Sequence, residues 1–87
     1  PDTPSNITVN SQHTNNINIS IIHGNGNVEY FSIFANGSFQ NKVKVVTAYQ
    51  TDTVIDGLTA GALYDIQIFA IANLVNSTTA ATRKIAT

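Results

Sequence analysis

Apolar and polar residues alternate along most of this chain. In residues 15–22, NNINISII, an isoleucine stands at every second position from Ile17 to Ile21, with Asn or Ser between them. Side chains of a β-strand point alternately to the two sides of a sheet, so this period of two predicts strands with one buried face. Seven segments are predicted as strands: 5–9, 15–22, 28–35, 42–46, 52–55, 63–72 and 79–87.

The same alternation predicts which side chains face the core. Within 28–35, VEYFSIFA, we expect Phe31 and Ile33 to point inward, and within 63–72, LYDIQIFAIA, we expect Tyr64 and the alternate aliphatic residues after it to do so. The other apolar side chains of these two segments then point away from the core. They form a candidate interaction face, because exposed apolar patches above a few hundred Å² often mark interfaces. Its residues are Tyr30, Phe34, Phe69 and Ile71.

The segment 42–46, KVKVV, bears on how exposed that face is. It alternates lysine with valine, and in one interpretation of the face the stems of Lys42 and Lys44 cover the outward aromatic rings. Three uses of the face stay open: a binding surface for a protein ligand, a contact with a neighbouring domain of the same chain, or an ordinary surface with a few covered aromatics.

Glycine and asparagine separate the predicted strands, and both tolerate the positive φ angles that tight turns require. The segment 73–78, NLVNST, is predicted to be a looser loop. Its apolar residues Leu74 and Val75 either form a contact with a partner or fold back over the edge of the core, and we favour the second interpretation. The tighter turns are predicted at HGNGN (23–27), NGS (36–38), Asp56-Gly57 and Ala60-Gly61.

Short strands spaced about ten residues apart favour an all-β, seven-stranded antiparallel β-sandwich of the immunoglobulin-like kind, formed by residues 1–87 as a single domain. The composition agrees, since 43% of the residues are hydrophobic and only 10% are charged.

Four basic residues and a net charge of −1 argue against nucleic-acid binding, and no apolar run is long enough to span a membrane. The chain has no cysteine, so it has no disulfide.

The segment GLTAGALYDIQIFAIA, residues 57–72, resembles the most specific motif of fibronectin type III domains. The family has Leu, any residue, Pro, Gly, two further residues and Tyr, followed by alternating aliphatic residues and a small one. Here Ala60 stands in place of the proline. The order and spacing of the other strands also fit, so the resemblance covers nearly the whole chain and implies strands A, B and E facing C′, C, F and G. The motif positions are Leu58, Gly61, Tyr64, Ile66, Ile68 and Ala70.

The resemblance implies a structural role for Tyr64. In such sandwiches the tyrosine at the start of strand F lies at the core edge and bonds back to the backbone a few residues upstream, an arrangement called the tyrosine corner. Here that backbone would be the connection around Leu58, whose carbonyl groups are candidate partners for the hydroxyl. The family's tryptophan on strand B is replaced by Ile21, and we expect Phe31, Ile33 or Phe34 to fill the space.

Four Asn-X-Ser/Thr triplets are candidates for N-glycosylation. About two would occur by chance in a chain so rich in Asn, Ser and Thr. Turns favour the two later candidates, and Asn18 is expected to point outward because its isoleucine neighbours point inward. The triplets are Asn6-Ile7-Thr8, Asn18-Ile19-Ser20, Asn36-Gly37-Ser38 and Asn76-Ser77-Thr78.

No residue pattern indicates catalysis, a metal or a cofactor. His13 and His23 have no nearby cysteine or paired carboxylate, whereas a zinc site needs three or four converging ligands. The acidic residues are scattered, and no serine lies in a Gly-X-Ser-X-Gly elbow.

What the resemblance implies is a non-catalytic extracellular spacer, adhesion or protein-binding module of a larger cell-surface receptor. A receptor-type tyrosine phosphatase with a long ectodomain is one example of such a parent. The alternative is an accessory module of a secreted microbial carbohydrate-active enzyme. A third possibility, a small-ligand or sugar site, would need a cleft that the sequence does not indicate.

Overall fold

The alternating segments form strands in the computed structural model, which describes residues 4, 6–22, 27–38, 40–48, 52–77 and 79–87. Most of the turn predicted at 23–27 lies outside these residues, and so does His23. No helix occurs in the described ranges. The strands are β1 (Asn6–Gln12), β2 (Ile17–Ile22), β3 (Tyr30–Gly37), β4 (Asn41–Thr47), β5 (Asp52–Ile55), β6 (Leu63–Ala72), β7 (Val75–Asn76) and β8 (Ala81–Ala86).

The strands form two antiparallel sheets. The first has the order β1-β2-β5, and the second has the order β4-β3-β6, with β7 and β8 both paired to β6. The predicted all-β sandwich and its division into two sheets are therefore confirmed. The strand count differs from the predicted seven, because the short strand β7 forms within the loop predicted at 73–78 and pairs with the end of β6, whereas β8 corresponds to the last predicted strand.

Ser77 explains why β7 and β8 are separate strands. Its side chain is buried, and its hydroxyl accepts a hydrogen bond from the Ala70 amide at 3.1 Å and donates one to the Thr79 carbonyl at 2.8 Å. The Ser77 amide in turn donates to the Ala70 carbonyl at 2.7 Å. The Ser77 side chain thus accepts the hydrogen bond of the Ala70 amide, which a continuous strand pairing would have given to a backbone carbonyl. The next strand, β8, begins four residues later.

The core lies between the inner faces of the two sheets and consists mainly of isoleucine. Phe31 and Ile33 lie in it, as does Ile21 at the position of the missing tryptophan. Phe34 does not, because it points to the other side of β3, so the expectation that it could fill the space was wrong. The most deeply buried large side chains are Tyr64, Phe31, Ile7, Ile17, Ile19, Ile33, Ile66 and Ile68.

Strand β4 presents the opposite face from the one predicted. Lys44 pairs with Ile33 and Lys42 with Ala35, so both lysines lie on the inner face, at the open edge of the sandwich. Val43 and Val45 point outward and are 64% and 58% exposed. An edge strand permits this because a lysine stem can pack against the core while the ammonium group reaches solvent.

Two inward-pointing basic residues form hydrogen bonds across the open edges of the sandwich. Lys44 Nζ donates to the Val54 carbonyl of β5 at 2.8 Å, and Arg83 Nη1 donates to the Ile7 carbonyl of β1 at 2.9 Å. Each bond joins an edge strand of one sheet to an edge strand of the other. Inward charges on edge strands also hinder pairing with the edge of another molecule, so both contacts disfavour aggregation.

Candidate functional site

The ring of Tyr64 is completely buried at the start of β6, between the core and the connection that precedes the strand. Its Oη accepts a hydrogen bond from the Thr59 amide at 2.8 Å. The hydroxyl thus bonds to the backbone beside Leu58, as expected, but its partner is an amide N–H and not a carbonyl. Leu58 is buried as well, and its amide donates to the Asn15 carbonyl at 2.9 Å. Both contacts fix the connection that carries the two glycines with positive φ, Gly57 and Gly61.

Gly37 lies directly across from Tyr64 in the pairing of β3 with β6. A Cβ atom at residue 37 would lie 2.6 Å from Cε1 and 2.9 Å from Cδ1 of the tyrosine ring. Since the φ angle of Gly37 is not positive, its role is to leave room for the ring rather than to form a turn. The predicted NGS turn therefore begins later, because Asn36 and Gly37 still belong to β3.

The outer face of the second sheet carries the candidate interaction residues. Phe34 and Phe69 lie on neighbouring strands with ring centroids 5.8 Å apart and an interplanar angle of 88°, an edge-to-face contact. Tyr30 lies directly opposite Ile71 on the same two strands and is 46% exposed. The four side chains form a ridge along β3 and β6.

Two valines extend this ridge sideways. Val43 lies opposite Phe34 across the β3–β4 pair, and Val45 lies opposite Ser32. Because directly opposed residues point to the same side of a sheet, both valines project beside the aromatic rings. The lysines expected to cover the rings lie on the other side of β4, so the outer face is more apolar and more open than predicted.

The turn between β6 and β7 adds a fully exposed apolar residue. Asn73 and Leu74 have φ angles of 52° and 64°, the signature of a two-residue type I′ hairpin turn. Leu74 is 99% exposed and Val75 is 58% exposed, so the prediction that they fold back over the core was wrong. Leu74, Tyr30 and Ile71 line one shallow groove, which places the turn at the end of the ridge.

Glycine at position 74 should raise the free energy of unfolding by about 0.5–1 kcal/mol. A left-handed conformation costs an L-residue roughly 1–2 kcal/mol, and glycine removes this cost. Glycine also loses more chain entropy on folding, which offsets about 0.5–1 kcal/mol of that stabilisation. Chemical denaturation of Leu74→Gly measures the change. Asn73→Gly is the matched control and should gain less, because asparagine tolerates this conformation. A destabilised Leu74→Gly variant would show that the leucine side chain contributes to the fold.

Solved structures of similar fold include segments of tenascin and CNTN1 and a single domain of collagen XX. A two-domain segment of chicken tenascin superposes with a TM-score of 0.91 at 17% identity, over 100% of this chain and 50% of that segment. The domains FN1–FN3 of chicken CNTN1 give a TM-score of 0.86 at 19% identity, over 100% of this chain and 32% of that one. A domain of human collagen XX gives 0.83 at 16% identity, over 100% and 92% of the two chains.

This is the fibronectin type III fold. The tenascin segment, the CNTN1 segment and the collagen XX domain all consist of fibronectin type III domains. This chain spans half the length of the tenascin segment and about a third of the CNTN1 segment. No family model and no curated protein matches the sequence.

Within this fibronectin type III fold, the glycosylation candidates divide between the two outer faces. Asn6 and Asn18 point outward from the first sheet, where Asn6 is exposed and Asn18 half-buried. Asn36 is half-buried at the end of β3, on the face that carries Phe34, and not in a turn. Asn76 is exposed in β7 and lies opposite Ile71, on that same outer face.

The described histidine and carboxylate side chains form no metal site. His13 is exposed in the connection between β1 and β2. Among the described residues, no group of three or more His, Asp or Glu side chains could hold a metal ion. Within the same ranges, no helix is long and apolar enough to cross a membrane.

Sequence reasoning missed four residues that shape this fibronectin type III surface and its support: Val43, Val45, Gly37 and Thr59. In KVKVV, lysine and valine alternate, so either residue type could face the core. A shift of one residue in the pairing of this strand with β3 would turn the valines inward and the lysines outward. A glycine beside asparagine indicates a turn more readily than a contact with a ring on another strand. Only the register of the pairing between β3 and β6 shows that Gly37 lies opposite Tyr64.

Proposed function

We propose that the chain is a non-catalytic extracellular module of a larger cell-surface protein, where it acts as a spacer and binds a protein partner through the outer face of its second sheet. The tenascin, contactin and collagen XX proteins that share its fold are extracellular, which supports this location. The observation that carries the binding role is the open apolar surface formed by the ridge, the two valines and Leu74.

Several properties of this surface favour a protein partner. It combines two aromatic ridge residues, Phe34 and Phe69, with exposed aliphatic side chains, and aromatic residues are enriched at protein interfaces. Its best exposed residue, Leu74, is held in a conformation that an L-residue rarely adopts. Strain of this kind at an exposed position is a reason to infer a functional role, because folding alone would favour glycine there.

The glycosylation candidates bear on the same surface. A glycan on Asn76 would project beside Ile71, since the two residues are directly opposed, and would cover the end of the ridge. A glycan on Asn6 would leave the ridge free, because that residue lies on the other sheet. Partner binding and a glycan at Asn76 are therefore alternatives on one molecule, whereas glycosylation at Asn6 is compatible with binding.

A panel of extracellular proteins, probed with a multimeric form of the domain, tests the proposal. The double variant Val43→Ser, Val45→Ser should weaken the affinity for a binder about tenfold or more, the usual effect of removing central apolar contacts. Both valines are exposed, so the substitutions should change the free energy of unfolding by less than about 1 kcal/mol.

The matched control removes two exposed aliphatic residues from the outer face of the first sheet. Ile22 is 46% exposed and Val54 is 41% exposed. The double variant Ile22→Ser, Val54→Ser should leave the affinity unchanged. The proposed face is wrong if this control loses binding while the β4 variant retains it, and protein binding is contradicted if no panel member binds saturably.

A further inference from the structure

A cavity of about 190 Å³ opens between the two sheets, at the edge where β4 faces β5. It lies on the inner side of β4, whereas the proposed partner surface lies on the outer side of the same strand. Its floor consists of the buried side chains Ile33, Ala35 and Ile55. Its mouth carries Lys42, Lys44 and Asp56, and Val43 completes the lining.

The cavity follows from the register of β4. Lys44 and Lys42 occupy inner-face positions opposite Ile33 and Ala35, where apolar side chains would otherwise complete the core. A lysine stem fills less of such a site because its ammonium group turns toward water. The small side chain of Ala35 leaves further room beneath Lys42.

The Lys44 ammonium group is held at the mouth by a backbone carbonyl, and that of Lys42 lies beside Gly57. Lys44 Nζ donates to the Val54 carbonyl at 2.8 Å, which leaves two of its three N–H groups for another acceptor. Lys42 Nζ lies against Gly57, where an added Cβ would come within 2.9 Å of it. Gly57 thus provides space for the ammonium group. With Asp56 as the one carboxylate among the lining residues, the mouth has an excess of positive charge.

We propose that this cavity binds a small apolar carboxylate, with its hydrocarbon part on Ile33, Ala35 and Ile55 and its carboxylate between Lys42 and Lys44. The volume suits a single ring, since an apolar protein cavity of about 150 Å³ holds benzene. Burying the ring removes apolar surface from water, and the two lysines supply charge-assisted hydrogen bonds to the carboxylate. The site opens on the other side of β4 from the protein-binding face.

A titration of the ¹⁵N-labelled domain with phenylacetate at low ionic strength tests this site. Saturable shifts are expected for the amides of residues 33–35, 42–44 and 55–57, with a dissociation constant of roughly 1–10 mM, typical of a ligand with about ten non-hydrogen atoms. Phenylacetamide is the neutral control of nearly the same shape and should bind about tenfold more weakly. Equal binding of the amide, or no saturation by about 50 mM phenylacetate, overturns the proposal.

Two variants separate the site from general attraction to lysines. Lys42→Gln should weaken phenylacetate binding about fivefold or more, whereas Lys84→Gln, an exposed lysine on β8, should leave it unchanged. Equal losses in the two variants would show non-specific attraction and contradict the site. Ala35→Leu should fill the cavity and abolish the shifts, with a dispersed spectrum showing that the variant still folds.

Discussion

Replacing Tyr64 by alanine should lower the free energy of unfolding by about 3–5 kcal/mol, as for other fully buried large aromatic side chains. The ring has no exposed surface, and its removal would leave a void between the core and the connection after β5. The Thr59 amide would also lose the phenol oxygen that accepts its hydrogen bond at 2.8 Å. Small domains are stable by only about 5–15 kcal/mol, so this one change removes a large part of the total. Urea denaturation followed by circular dichroism measures it.

Two further variants separate the ring from the hydroxyl. Tyr64→Phe retains the ring and should cost about 1–2 kcal/mol, because a partly buried amide is left without its acceptor. Tyr30→Ala removes the same residue type from the exposed ridge and should cost less than about 1 kcal/mol. If Tyr30→Ala were as damaging as Tyr64→Ala, the assignment of the two tyrosines to opposite faces would be wrong.

Alanine at position 37 should destabilise the fold by about 1–3 kcal/mol, the range for overpacking a filled site. The backbone of Gly37 has no positive φ, so it can accept an alanine. The cost arises from overlap with Tyr64, whose Cε1 would lie only 2.6 Å from the new Cβ. Equilibrium denaturation of Gly37→Ala measures the loss.

A double-mutant cycle identifies that cause. In the Tyr64→Ala background the ring is absent, so Gly37→Ala should cost little, and the coupling energy should be about 1–3 kcal/mol. Gly61→Ala is the control. Its added Cβ would meet nothing within 4 Å, but its φ of +70° should cost about 1 kcal/mol in either background. Additive effects of Gly37→Ala and Tyr64→Ala would refute the contact.

The sequence predicts the inner layer of this molecule well because burial leaves a strong pattern. Ile17, Ile19 and Ile21 alternate with polar residues, and the structure buries all three. Tyr64 is marked by the two glycines before it and by the aliphatic residues after it. Each of these signals depends on a local period or motif, which a single sequence displays directly.

The surface features could not be predicted with the same success, because their causes lie on other strands. The faces of β4 depend on its register with β3, and KVKVV is compatible with either choice. Leu74 becomes exposed because β7 pairs closely with the end of β6 and leaves only two residues for the turn. The cavity beside Lys42 and Lys44 follows from the same register, so the sequence did not indicate it.

Both proposed binding sites depend on one claim, that β4 directs Val43 and Val45 to the outer face and its lysines to the inner one. Methyl NMR spectra recorded with a soluble gadolinium chelate test it directly. We predict strong broadening of the Val43 and Val45 methyl signals, protection of Val46, and nuclear Overhauser contacts from Val43 to the Phe34 ring. Protected Val43 and Val45 methyls, with contacts to Ile33 and Ile55, would contradict the register and both binding sites.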